Sequence, residues 1–131
     1  MIFIDASLPK TLADELKKVR NDVVFKHDVF ERGTDDPIWL RRVGIEGWLA
    51  ITRDWHIRTR PGERAAIMEN GVGCFILTHQ DGLGTPEVVR IVFDYLPEME
   101  RLFSSTPRPF IYTVTKNSHF TEYAQRRLRT Y

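Results

Sequence analysis

Three aspartates stand where an alternating strand–helix chain would bring them together. Asp5 follows the apolar run Ile2-Phe3-Ile4, and Asp54 follows Trp48-Leu49-Ala50-Ile51-Thr52 and Arg53. Asp36 precedes Pro37 at the opening of a helix. In open α/β sheets, ligands bind beyond the carboxyl ends of the strands. Asp5 and Asp54 occupy two such ends, and the helix opened by Asp36 should begin on the same side. Converging carboxylates repel one another, and their burial is costly unless a cation neutralises them. Carboxylate oxygens with water are the ligand set preferred by Mg2+ and Mn2+. A cation so held acidifies its water and steadies a phosphodiester in the transition state. Each aspartate also has a plain structural reading: Asp5 or Asp36 as a helix cap, Asp54 as a turn residue.

Positively charged and aromatic residues crowd the same stretch. Arg53, Arg58, Arg60 and Arg64 surround the proposed cleft in sequence. Arginine pairs bidentately with phosphate, so these residues suit a phosphodiester backbone, although a solvated helix start would look the same. Trp55 could stack on an unpaired base or cover the edge of the core. Trp39 and Trp48 read as core by type and position. Arg126, Arg127 and Arg129 form a basic tail that reads first as solvated.

The elements that must position these groups follow from periodicity. Ile2–Ile4 is a first strand. Leu12, Ala13, Leu16 and Val19 recur at helical spacing and predict a helix over Leu8–Val19, with Ser7 or a neighbour as cap and Pro9 in its first turn. Val23–Phe25 is a second strand. Asp36-Pro37 opens a second helix with Ile38, Leu40, Val43 and Ile45 as apolar positions and Gly47 as its end. Trp48–Thr52 is a third strand, about Gly62–Glu69 a third helix closed by Asn70-Gly71, and Gly73–Leu77 a fourth strand. Thr85-Pro86-Glu87 opens a long helix whose apolar face is Val88, Val89, Val92, Phe93 and Leu96. Pro97 should kink or end it before a short helix to Phe103. Phe110–Thr115 alternates as a fifth strand. Within the tail, Phe120, Tyr123, Ala124 and Leu128 suit a docked helix. Strands alternating with helices predict an α/β fold with a parallel central sheet covered by helices on both faces. Residues 1–131 read as one domain, with 117–131 as a tail or docked helix.

Bulk properties narrow the class. A chain of 131 residues, 42% hydrophobic and 28% charged, has an ordinary globular balance. The net charge of +1 does not by itself announce a nucleic-acid binder. The single cysteine, Cys74, lies in an apolar run, so it reads as a buried small hydrophobe and excludes an internal disulfide. No signal peptide or membrane-spanning stretch is visible, and a cytoplasmic protein is expected.

At these residues the sequence resembles a PIN-like domain, more narrowly the small toxins of the VapC type. The segments that carry the resemblance are FIDASLP at 3–9, DDPIWL at 35–40, GWLAITRDWHIRTRPGERAAI at 47–67 and GVGCFIL at 71–77. The family pattern is a strand ending in Asp, Leu-Pro opening a helix, an Asp three residues before Trp-Leu, and a strand ending in Thr-Arg/Lys-Asp. The resemblance implies a metal-dependent ribonuclease with Asp5, Asp36 and Asp54 as ligands of Mg2+ or Mn2+. Asp36 rather than Asp35 has the expected spacing to Trp39. Thr52 falls on the hydroxyl position beside the last carboxylate. Arg53, Arg58 and Arg60 are the expected RNA contacts. The resemblance also implies a cognate antitoxin as partner, and a homodimer is compatible with it. Two departures matter. Fuller PIN domains carry a fourth acid two positions after the last Asp, where this chain has His56. Glu31 and Asp28 are loose substitutes for another family acid. One firmly held metal is therefore expected rather than two.

Two other readings compete. A receiver-like phospho-acceptor domain would also place acids after strands one and three, and Thr78 and Lys116 suit it. Yet it expects an acidic pair near strand one, and it gives Asp36 no role. A catalytically silent PIN-like RNA-binding module would explain the missing fourth acid.

Overall fold

The computed structural model describes residues 1–77, 84–115 and 120–122. Thr78, Lys116, Tyr123, Ala124, Leu128, Arg126, Arg127 and Arg129 lie outside the described residues. The elements run β1 (Ile2–Ile4), α1 (Lys10–Lys17), β2 (Val23–Phe25), α2 (Lys26–Val29), α3 (Asp36–Glu46), β3 (Leu49–Thr52), a 3-10 turn (Trp55–Arg58), α4 (Pro61–Asn70), β4 (Gly73–Leu77), α5 (Thr85–Ser105), β5 (Phe110–Val114) and β6 (Phe120–Glu122).

The strands order as β2-β1-β3-β4-β5-β6. The first five pair in parallel, as alternation predicts. The sixth was not expected: Phe120–Glu122 runs antiparallel to β5, with Val114 opposite Phe120. Phe120, placed in a tail helix by its apolar character, is thus a strand residue. Unlike the apolar runs of β1 and β2, Phe120-Thr121-Glu122 holds one apolar residue, so nothing in it marks a strand.

Each of the five parallel strands is buried on both faces. Ile2, Ile4, Leu49, Ile51, Phe75 and Phe110 pack with Leu12 and Leu16 of α1 and with Val88, Ile91, Val92, Leu96 and Met99 of α5. Phe3, Ala50, Cys74, Ile76 and Ile111 pack on the other face with Trp39, Leu40 and Val43 of α3 and Ala66 and Ile67 of α4. Adjacent strand residues therefore alternate between two cores, which is why the strands read as unbroken apolar runs.

Several helix positions differ from the periodicity reading. Val19, Ile38, Ile45 and Phe93 are exposed. In α3 the buried stripe is Trp39, Leu40 and Val43. Pro97 does not end α5, which continues to Ser105. Phe93 and Pro97 are both exposed, so the carbonyl that loses its helical partner lies on the solvent side, while Leu96 and Met99 anchor the opposite side. Gly47 ends α3 as expected, at φ 70°, a left-handed conformation that favours a residue without Cβ.

Candidate functional site

The order β2-β1-β3-β4 makes the gap between β1 and β3 the place where the chain reverses its direction of winding. Asp5 and Asp54 follow these two strands, flanking the switch point where such sheets open a crevice.

Asp5 is buried, 4% exposed, and its charge is met by three donors. The Ala6 N–H donates to Oδ1 at 2.8 Å. The hydroxyls of Ser7 and Thr52 both donate to Oδ2, each at 2.7 Å. With both protons committed to Asp5, the 3.0 Å approach of the two hydroxyl oxygens is a contact held by the shared acceptor. Thr52 Oγ1 also accepts the Asp54 N–H at 3.0 Å, and Ser7 Oγ accepts the Arg53 N–H at 2.9 Å. The strand end carrying Asp5 and the loop carrying Asp54 are thereby stitched together. Ser7, expected as a helix cap, serves this network instead; Pro9 takes the cap position of α1.

Asp54 caps the 3-10 turn, accepting the His56 N–H at 3.1 Å through Oδ1. The turn sends Ile57 into the core and leaves Trp55 46% exposed. The ring of His56 stacks on Trp55 at 4.3 Å, and the Arg58 guanidinium lies 5.1 Å from the Trp55 ring centre. The result is an exposed aromatic and cationic ledge beside Asp54.

Asp36 is aimed by its own helix. The Trp39 indole N–H donates to Asp36 Oδ1 at 2.7 Å, an i,i+3 pair on one face of α3. That indole is fully buried and stacks on Phe3 of β1 at 5.1 Å. The second oxygen of Asp36 faces Arg60. One Arg60 nitrogen, Nη1, lies 3.9 Å from Asp36 Oδ2, 3.7 Å from Asp54 Oδ2 and 3.9 Å from Glu63 Oε1. Asp36, Asp54 and Glu63 thus face a single cation, and the carboxylate of Asp5 is tied to the Asp54 loop through Thr52. Burial pushes the Cys74 thiol far above its usual range, and the charges of Asp5 and Asp54 push it further.

Other expectations resolve differently. Arg64 is buried in α4 and not at a solvated helix start. Asp28 is a structural acid: it accepts the Phe25 N–H at 2.9 Å and pairs with Lys17 at 2.5 Å. Glu63, 14% exposed at its side chain, joins the acidic cluster and was not singled out by sequence reading. Its nearness to Asp36 depends on how α3 and α4 pack, which no local motif spells out.

A family model described as a PIN like domain matches residues 1–79. The chain belongs to the PIN-like domain family. No curated protein and no solved structure matches it. PIN domains are in general nucleases, and they typically use divalent metals. Among the described residues, no three His, Cys, Asp or Glu side chains stand as a ready-made metal cluster. The donor set of this PIN-like domain nevertheless suits such an ion. Three carboxylates converge on a guanidinium nitrogen at separations longer than hydrogen bonds, so a loosely held monovalent cation already stands among oxygen donors of the hard-cation type. No described helix is long and apolar enough to cross a membrane.

Proposed function

We propose that this PIN-like domain is a Mg2+- or Mn2+-dependent endoribonuclease, the toxin of a type II toxin–antitoxin pair of the VapC kind. The observation that carries the nuclease reading is the convergence of Asp36, Asp54 and Glu63 on one cationic nitrogen, beside a buried Asp5 tied to the same loop. Asp5, Asp36 and Asp54 hold the metal in this reading. A bound divalent ion supplies Lewis-acid charge and a more acidic water for phosphodiester hydrolysis. Thr52 keeps the Asp5 carboxylate oriented and the Asp54 backbone in place. Trp39 does the same for Asp36. Arg53 and Arg58 contact the phosphate backbone, and Trp55 receives an unstacked base, as exposed aromatic side chains do with single strands.

The toxin assignment adds a cognate antitoxin as inhibitor and leaves room for a homodimer. Exposed apolar side chains at Val19, Ile38 and Ile45 offer surface for an amphipathic partner segment. The working compartment in this reading is the cytoplasm.

Incubating the purified chain with single-stranded RNA tests the proposal. Cleavage should appear with Mg2+ or Mn2+, stop with EDTA, and disappear in Asp5→Asn and Asp54→Asn proteins that keep the wild-type circular dichroism. Undiminished cleavage in either variant rejects the assignment. RNA binding without cleavage under any divalent ion marks a silent binding module instead.

A further inference from the structure

Arg60 stands between two of the carboxylates proposed to hold the metal, Asp36 and Asp54. Its Nη1 is the common point within 4.0 Å of Asp36, Asp54 and Glu63, and an ion shared by Asp36 and Asp54 would sit between the same oxygens. None of its three contacts is as short as the 2.7–2.9 Å typical of a charge-assisted hydrogen bond. The guanidinium is therefore held by attraction to summed charge rather than by a fitted fork. The side chain is 51% exposed, so moving it outward breaks no buried packing. Its backbone sits at the cap position of α4, where the Arg60 carbonyl accepts the Arg64 N–H and fixes the main chain independently of the side chain. Charge points the same way: three carboxylates share one guanidinium nitrogen, and a divalent ion would answer that charge better than a monovalent one.

We infer that Arg60 is a built-in competitor for the catalytic cation: it neutralises the acidic site when metal is scarce and is displaced outward when a divalent ion binds. Displaced, it remains tethered at the rim with its charge available to a phosphate. Arg60 is thus a positioning residue whose location depends on metal occupancy. This role rests on the metal-dependent reading above.

Titrating Mn2+ and following loss of the free-ion electron paramagnetic resonance signal tests the role without any substrate. Arg60→Gln should bind Mn2+ roughly five- to tenfold more tightly than wild type, the scale set by removing a few partly exposed ion pairs. Arg60→Lys, which keeps the charge, should stay within about twofold of wild type. Free guanidinium ion added to Arg60→Gln should weaken Mn2+ binding again, more than an equal concentration of Na+. Circular dichroism of each variant confirms folding. Equal or weaker Mn2+ binding by Arg60→Gln, or tightening in Arg60→Lys as large as in Arg60→Gln, overturns the competitor role while leaving the metal site standing. Absence of Mn2+ binding in wild type and both variants overturns the metal site and the competitor role together.

Discussion

The Thr52 hydroxyl satisfies two neighbours at once, donating to Asp5 and accepting from the Asp54 backbone. It is fully buried, so water cannot replace it in either task. Ser7 donates to the same Asp5 oxygen, but from an exposed position. Thr52→Val should therefore cost about 1–3 kcal/mol of stability, the penalty for stranding buried polar groups, and Ser7→Ala distinctly less. Urea unfolding midpoints of the two variants give the comparison, and an equal or reversed order would contradict the buried network. At this scale the sequence was readable where partners lie close along the chain. Asp36 and Trp39 sit three apart on a helix, and their spacing carried the resemblance before any coordinates did. Asp5 and Asp54 were legible because strands end in recognisable apolar runs. Glu63 was invisible because its partners come from a different helix and from a loop, through an arginine that sequence reading assigned to RNA.

Among the elements, α3 and α4 together hold the acidic cluster: Asp36 opens one, and Arg60 and Glu63 open the other. They approach closely at Gly44, where any Cβ would overlap the carbonyl oxygen and Cβ of Asn70. Gly44→Ala should force the pair apart, costing about 1–3 kcal/mol as overpacking does, and weaken Mn2+ binding although no acidic group has changed. Thermal unfolding beside the metal titration separates the two effects; unchanged values in both would show that the helices adjust freely. Elements long enough to show a period or a cap were legible, including the close of α3 at Gly47 and of α4 at Gly71. The four-residue α2, the 3-10 turn and β6 were not, since none of them carries the unbroken apolar run that reveals the equally short β1 and β2. Pro97 misled because its backbone cost depends on which side of α5 faces water, and a sequence does not show that side directly.

For the molecule as a whole, two ion-pair systems tie distant parts together. Arg20 forks to Asp22 and to Glu100 of α5, with contacts of 2.7–3.0 Å, and Lys17 of α1 reaches Asp28 of α2. The Arg20 hydrogen bonds hold the Asp22 carboxyl below its ordinary value of 3.8. At Asp28 burial opposes ionisation, but the Lys17 contact and the Phe25 N–H outweigh it and hold the carboxyl below 3.8. A depressed folded value means stability that is complete above the ordinary carboxylate range and is lost as pH falls through the folded values. Urea midpoints should thus be flat from about pH 7 to pH 5 and fall by about pH 3, with Asp28→Asn showing a shallower fall than wild type. An identical fall in that variant would remove Asp28 from the account. The two-core α/β layout was legible from strand–helix alternation, whereas these long-range pairs, joining residues up to 80 positions apart, were not.

Phe3 stacks on both the Trp39 ring and the Trp48 ring. Through that stack, the indole that orients Asp36 rests on the strand that delivers Asp5. The interior and the candidate site are consequently one mechanical unit. Hydrophobic substitutions at Phe3 will masquerade as losses at the candidate site, and a mutational screen of this chain will misassign them unless folding is scored separately.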